Sequence, residues 1–254
     1  MNTHNTEIRV DTPDGPMATC VAHPGEGGPF PVAILYMDGV GYRDQIKENA
    51  RRFAAGGFFV VAPDLFHRAG DKLSFDFTRM GDEGYRERLM QIVASTTPDG
   101  AIADTEAVLD AIAGDPAAAA DGPLVCVGYC MGARFALHAA AAMPDRIVAA
   151  AGIHPSALAT DAPDSPHHDL PDVRAELYLA FAENDQSATA EVVDHFREEM
   201  RAHGVEGVVE RLPATSHGFA MADLPVYDRD ATERHFERTL ELWRRNLAQE
   251  RVGG

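Results

Sequence analysis

Three residues of this 254-residue chain have the types that nucleophilic acyl transfer needs: a cysteine, an aspartate and a histidine. Cys130 stands between two glycines in GYCMGAR, directly after an apolar run typical of a buried strand. Asp185 and His217 each follow a further predicted strand. A histidine can take the proton of a thiol, and a carboxylate can hold the imidazole in the tautomer required. The sequence therefore predicts a triad of Cys130, Asp185 and His217.

The glycines around Cys130 indicate a tight turn from a strand into a helix. The pattern G-x-C-x-G has the spacing of the G-x-S-x-G nucleophile elbow, and the acid and base follow in the α/β-hydrolase order. Glycine lets strand and helix approach closely, and the helix N-terminus favours a thiolate. We expect the oxyanion to bind the N–H groups of Met131 and of Gly39, which lies in the turn after another strand.

The elements that must position these residues alternate along the chain from Phe30 onward. Strand patterns occur in FPVAILYM, GGFFVVAPDL, PLVCVGYC, RIVAAAGIHP, AELYLAFAEND and VVERLPATSHGF, and helical spacing in residues 45–55, 83–94, 99–113, 135–142, 188–203 and 229–249. This alternation predicts an α/β fold, with a mostly parallel central sheet and helices on both faces.

The beginning of the chain has a different pattern. The segments TEIRV and MATCVAHP flank the turn TPDGP and predict an N-terminal antiparallel hairpin. Residues 67–82 and 156–171 are expected to be loops, and DPAAAADG a connector. Neither a linker nor a repeat divides the sequence, so we predict a single domain over residues 1–254.

The composition excludes several classes of partner. A net charge of −18 repels nucleic acid and anionic lipid, and neither a signal peptide nor a stretch of about 18 apolar residues is present. We therefore expect a cytoplasmic protein without nucleic-acid or membrane partners. Cys20, Cys126 and Cys130 lack disulfide spacing. HExxH and paired CxxC motifs are absent, and the adjacent His167 and His168 are too few ligands, so we expect no metal and no cofactor.

With GYCMG at its centre, the sequence resembles the dienelactone hydrolase family, whose members include carboxymethylenebutenolidases. The segments PDLF at 63–66, NDQ at 184–186 and SHGF at 216–219 match the family's strand exit, acid turn and histidine loop, in order. The resemblance covers nearly the whole chain. It implies the α/β-hydrolase fold and a cofactor-free enzyme, a monomer or small homo-oligomer, that cleaves a small-molecule lactone or ester through an acyl-cysteine intermediate.

The sequence departs from the family pattern at residues that concern the thiol and the substrate. Close relatives of the type enzyme have a glutamate where this chain has Asp38, so Asp38 is a candidate for thiol activation, although an aspartate can also serve the turn alone. The family holds a substrate carboxylate with arginines. One such position is Met221 here, and Arg68 and Arg79 are candidates for another. The loss of one arginine argues against muconate-derived dienelactone as the substrate.

Some alternatives stay open at this point. His154, also at a strand end, competes with His217 as the base but suits a pocket wall better, and Asp185 could simply cap the following helix. Cys126 suits a small core residue. The alternative functions are a thioesterase or another acyl hydrolase on the same fold, and a non-enzymatic redox sensor that uses Cys130. A sensor needs no His–Asp pair, which favours the enzyme.

Overall fold

The computed structural model of the protein describes residues 2–253, with side chains up to residue 249. Contacts group the chain into two compact units, one that ends at Asp121 and one that begins at Gly122. Our prediction of a single domain stays a prediction. Within the described residues, no helix combines the length and the apolar character that a membrane crossing requires.

The N-terminal unit contains the predicted antiparallel hairpin. It is formed by β1 (Thr3–Thr12) and β2 (Gly15–Pro24), and β2 also pairs antiparallel with β4 (Phe59–Pro63). The strand β3 (Phe30–Tyr36) pairs in parallel with β4 and with the short β5 (Ala118–Ala119). The unit also contains α1 (Asp44–Ala55), a 3₁₀ turn (Phe77–Arg79), α2 (Glu83–Ser95) and α3 (Pro98–Ile112). The segment that contains β5 has no strand pattern, and the sequence predicts a connector there, so this short strand corrects the prediction.

The C-terminal unit contains a parallel sheet. Its strands are β6 (Leu124–Tyr129), β7 (Ile147–Ile153), β8 (Glu176–Asn184) and β9 (Gly207–Ser216), paired in this order. The helices are α4 (Met131–Ala142), α5 (Ala190–Ala202) and α6 (Arg229–Gly253), and a 3₁₀ helix spans Pro166–Asp172. The helix α4 packs on β6 and β7, and α6 packs on β7 and β8. The predicted mixed α/β architecture is confirmed.

The strand β6 lies in the core of this unit. All six of its residues are buried, as expected for a strand covered on both faces. Trp243 of α6 is fully buried, and its indole N–H donates a hydrogen bond to the carbonyl oxygen of Cys126 at 3.3 Å. The thiol of Cys126 is likewise inaccessible. This packing fixes the strand that carries the cysteine elbow.

At the turn that carries Cys130, the backbone of β6 and the backbone of α4 approach each other very closely. A Cβ atom on Gly128 would lie 2.0 Å from the carbonyl oxygen of Gly132 and 2.5 Å from the nitrogen of Ala133. Cys130 itself has φ 52° and ψ −115°, in a region that residues with a side chain rarely adopt. The helix α4 begins at Met131, four residues before the predicted start at 135, because the turn leads directly into it.

This contact predicts a large difference between two glycine substitutions. Gly128→Ala should lower the free energy of unfolding by about 4 kcal/mol or more, because the new methyl group meets backbone atoms that cannot move aside. The control is Gly84→Ala in α2, where nothing lies within 4 Å of the added atom. The control should be neutral or up to about 1 kcal/mol more stable. Urea denaturation would measure both, and equal stabilities would contradict the prediction.

Candidate active site

Cys130, His217 and Asp185 lie next to one another in the C-terminal unit. The Nε2 atom of His217 is 3.0 Å from Sγ of Cys130, and its Nδ1 atom is 2.6 Å from Oδ2 of Asp185. The Asp185 carboxylate is buried, whereas the imidazole is 31% exposed and the cysteine is half-buried. Thiol, imidazole and carboxylate thus form a hydrogen-bonded chain in which the imidazole can exchange a proton with the sulfur while the carboxylate orients the imidazole.

A bulge in β9 sets His217 beside Asp185. The pairing register of β8 and β9 shifts between residues 182 and 184, where β9 carries extra residues. In this bulge Ala214 has φ 59°, and its N–H donates a hydrogen bond to the side chain of Glu183 at 2.8 Å. Pairing resumes with Asn184 opposite Ser216, and the residues that follow these two are Asp185 and His217. Bulges often occur beside active sites, where they re-aim a side chain.

The second oxygen of the Asp185 carboxylate is bonded to Ser187. Its Oδ1 atom accepts hydrogen bonds from the Ser187 N–H at 2.8 Å and from the Ser187 hydroxyl at 2.6 Å. Burial raises the pKa of Asp185, but the hydrogen bonds from His217 and Ser187 outweigh burial and hold the pKa below its ordinary value. The carboxylate is therefore charged when it meets the imidazole. Sequence reasoning missed Ser187, although a serine two residues after an aspartate is a common turn pattern.

The imidazole of His217 is held in its charged form. Burial lowers its pKa, but the charge of Cys130 and the hydrogen bonds to Asp185 and Cys130 act in the opposite direction and raise the pKa to about 10. An imidazolium 3.0 Å from the sulfur favours a thiolate at neutral pH. The position of Cys130 at the N-terminus of α4 acts in the same direction.

His154 lies behind the imidazole. It is fully buried, with its ring centroid 5.3 Å from that of His217 in an edge-on arrangement and 5.3 Å from that of Phe219. Its φ of 37° marks a sharp turn directly after β7. Met221 is also buried, in the loop that follows His217. The substrate-binding roles suggested for His154 and Met221 stay predictions.

The two residues expected to bind the oxyanion lie at turns. Met131 is the first residue of α4, and N–H groups in the first turn of a helix have no acceptor within the helix. Gly39 lies in the N-terminal unit, between β3 and α1. Their roles in binding the oxyanion stay predictions.

Asp38 forms a bidentate ion pair with Arg43. The two terminal nitrogens of Arg43 donate to Oδ1 at 2.6 Å and to Oδ2 at 2.9 Å, and Oδ1 also accepts the Val40 N–H at 3.1 Å. Asp38 is only 2% exposed, so this arginine balances a buried charge. Arg43 belongs to no motif in the sequence, so sequence reasoning missed it. A part for Asp38 in thiol activation stays a prediction.

The two arginines suggested as substrate anchors already have acidic partners. The guanidinium of Arg68 donates to both carboxylate oxygens of Asp104, at 2.7 and 2.9 Å, and to Asp14 at 2.7 Å. Arg79 is paired with Asp82 at 3.2 Å and lies 4.2 Å over the ring of Tyr85. A substrate carboxylate would have to compete with these partners, most strongly at Arg68. Both anchor roles stay predictions.

The adjacent histidines His167 and His168 do not belong to a larger group of metal ligands. Their rings lie 3.9 Å apart, and Nδ1 of His167 is 2.8 Å from the hydroxyl oxygen of Ser165. Among residues 2–253, no three or more histidine, cysteine, aspartate or glutamate side chains are grouped so that they could hold a metal ion.

Comparison with known proteins assigns the family. The profile of the dienelactone hydrolase family matches residues 17–247. The chain belongs to the dienelactone hydrolase family. It is accordingly a hydrolase that acts on ester bonds, as the resemblance implied.

Three relatives of this dienelactone hydrolase family member are between 22% and 27% identical to it. A candidate carboxymethylenebutenolidase of Methylorubrum extorquens is 27% identical over 248 residues, which cover 94% of this chain and 80% of the relative. The carboxymethylenebutenolidase of Pseudomonas sp. strain P51 is 25% identical over 219 residues, or 86% of each chain. The crystal structure of a candidate dienelactone hydrolase from Klebsiella pneumoniae superposes with a TM-score of 0.84 at 22% identity, covering 98% of this chain and all of that one. The α/β-hydrolase fold is thereby confirmed.

The environments of the three cysteines predict selective alkylation. Burial raises the pKa of Cys20 to about 11 and raises that of the fully buried Cys126, so both remain thiols, whereas Cys130 faces an imidazolium. At about pH 6, iodoacetamide should modify Cys130 alone in the native protein. Peptide mass mapping would locate the label. His217→Ala should slow the modification at this pH, and comparable labelling of Cys20 or Cys126 would contradict the prediction.

The raised pKa of His217 predicts a loss of stability in alkali. A histidine with a raised pKa contributes stability that is complete below its ordinary pKa of 6.5 and is lost as the pH rises through about 10. Below about pH 8.5 this loss is offset, because the thiol of the unfolded chain still holds the proton that the native thiolate has given up. The net decline should therefore fall between about pH 8.5 and about pH 10. Over that interval the melting temperature of the wild type should fall more than that of His217→Gln. If the melting temperatures of the two proteins fall equally over this pH interval, the prediction is contradicted.

Proposed function

We propose that this member of the dienelactone hydrolase family hydrolyses a carboxylic ester or lactone through an acyl-cysteine intermediate on Cys130. The observation that carries the proposal is the chain of contacts at 3.0 Å from sulfur to imidazole and at 2.6 Å from imidazole to carboxylate. A thiolate beside an imidazolium is a nucleophile that has its own proton source.

In the first step, the Cys130 thiolate attacks the carbonyl carbon of the substrate. The negative charge moves to the carbonyl oxygen, which by our prediction the N–H of Met131 would stabilise. The His217 imidazolium then donates its Nε2 proton to the leaving oxygen. The C–O bond breaks while the acyl group stays on sulfur. The alcohol of an ester is released, whereas the hydroxyl group of an opened lactone remains attached to the acyl group.

In the second step, His217 is neutral and acts as a base. It takes a proton from a water molecule that attacks the thioester carbonyl. The new tetrahedral intermediate expels the Cys130 thiolate and leaves a carboxylic acid, and the imidazolium–thiolate pair is restored. Throughout the cycle Asp185 accepts the Nδ1–H bond, so Nε2 stays directed at the reacting atoms.

The nucleophile restricts the substrates that suit this site. A thiolate is a better leaving group than a simple alkoxide, so the first tetrahedral intermediate tends to return to the substrate unless the departing oxygen is stabilised. Protonation by His217 supplies part of that stabilisation. We therefore expect aryl and enol esters, and lactones whose ring oxygen leaves as an enol, to be better substrates than simple alkyl esters. A thioester would also suit this chemistry, since its leaving group matches the nucleophile.

The proposal predicts a graded loss of activity on substitution of the three residues. Cys130→Ala should lower kcat/KM for an aryl acetate by about four orders of magnitude or more, and Cys130→Ser should lose most of the activity. Asp185→Asn should lose about two to four orders of magnitude through the altered tautomer. The matched control is Cys20→Ala, which removes a buried thiol that has no part in the proposed mechanism and should retain wild-type turnover.

The measurement uses a panel of aryl acetates, enol and alkyl lactones, and a short acyl thioester. Trapping of an acyl group on the Cys130 peptide would support the intermediate directly. Wild-type turnover in Cys130→Ala would refute the nucleophile. A wild type inactive on the entire panel, with ready formation of a Cys130 sulfenate, would favour the redox sensor instead.

A further inference from the structure

The hydroxyl group of Ser156 lies beside the sulfur of Cys130. Its Oγ atom is 3.7 Å from Sγ, within the range of a hydrogen bond to sulfur, and either group could be the donor. Once the sulfur is a thiolate, only the hydroxyl can donate. Ser156 is half-buried and belongs to the segment after β7, so it approaches the sulfur from a different strand end than His217 does.

The backbone around Ser156 is held in an unusual conformation. Two residues with side chains have positive φ there, His154 at 37° and Ala157 at 54°. The N–H of His154 donates to the carbonyl oxygen of Ala180 on β8 at 2.7 Å, and the N–H of Ser156 donates to the carbonyl oxygen of Cys130 at 3.4 Å. A positive φ is unfavourable for a residue with a side chain, and such strain is concentrated at functional sites. The segment thus holds Ser156 against the elbow at an energetic cost.

We infer that the Ser156 hydroxyl donates a hydrogen bond to the resting Cys130 thiolate and orients it, which makes Ser156 a positioning residue of this site. The inference rests on the proposed role of Cys130. No bond is formed or broken by Ser156. When sulfur carries an acyl group it is a poor acceptor and the hydrogen bond is lost, and the bond re-forms as the thiolate departs in the second step.

Other groups also act on this thiolate and must be separated from Ser156 in an experiment. From the β9 end, His217 supplies an imidazolium, and from the β8 end Asp185 holds that imidazolium in place. On the β7 side the ring of His154 lies edge-on to His217. Each of these groups is retained when only the hydroxyl of Ser156 is removed, so Ser156→Ala isolates its effect.

The test measures the rate of Cys130 alkylation by iodoacetamide as a function of pH. In Ser156→Ala the midpoint of this profile should move to higher pH by about half a unit to one unit, because a donor to the charged form has been lost. The conservative variant Ser156→Thr keeps a hydroxyl and should retain the wild-type midpoint. If Ser156→Ala fails to fold, as judged by circular dichroism, Ser156→Gly replaces it in the same comparison.

The matched control is Ser165→Ala. The Ser165 hydroxyl accepts the Thr160 N–H at 2.9 Å and thus supports the same segment without touching the sulfur, so its removal should leave the midpoint unchanged. An unchanged midpoint in Ser156→Ala, or an equal shift in Ser165→Ala, would overturn the inference. Alkylation needs no substrate, so a failure of the proposed ester hydrolysis would be seen separately, as a wild type without turnover.

Discussion

The turn from β6 into α4 depends on the missing side chain of Gly128. A single added carbon would lie 2.0 Å from a backbone oxygen of α4, so strand and helix can meet only because that atom is absent. The close approach forces Cys130 into a positive φ, and the hydrogen bond from its N–H to the carbonyl oxygen of Ile153 at 3.0 Å helps to hold it there. The strain of this corner exposes the sulfur at the start of a helix instead of burying it, as β6 buries Cys126.

Charge at the site depends on a balance between burial and hydrogen bonding. Burial opposes a charge on both Asp185 and His217, yet each has a partner whose hydrogen bond outweighs that effect. Ser187 donates its two hydrogen bonds to Oδ1 of the carboxylate, whereas the imidazole is bonded to Oδ2. The acid therefore remains charged while the imidazole changes protonation state during a reaction cycle.

The sequence predicted most of the elements, and it singled out the cysteine, aspartate and histidine that the structure brings together, because both leave local signals. Apolar runs mark buried strands, and glycines at fixed spacing mark the elbow around Cys130. The contacts of Ser156 and Arg43 could not be predicted, because they depend on side-chain placement by loops without a periodic pattern. The start of α4 was placed too late, since its first residues, Met131 and Gly132, serve the turn as well as the helix. The strand β5 was missed because two alanines carry no strand signal of their own.

The bulge that sets His217 beside Asp185 also affects how readily another strand can pair with the edge of the sheet. The strand β9 ends the sheet of the C-terminal unit, and such a strand presents free backbone groups to which another chain can add. Pro213 has no backbone N–H that could donate a hydrogen bond to an added strand, and Ala214 interrupts the extended conformation. The strand is therefore a poor template for strand addition around these two residues. The irregularity that aligns the imidazole thus also makes this edge a poorer template for the addition of another strand.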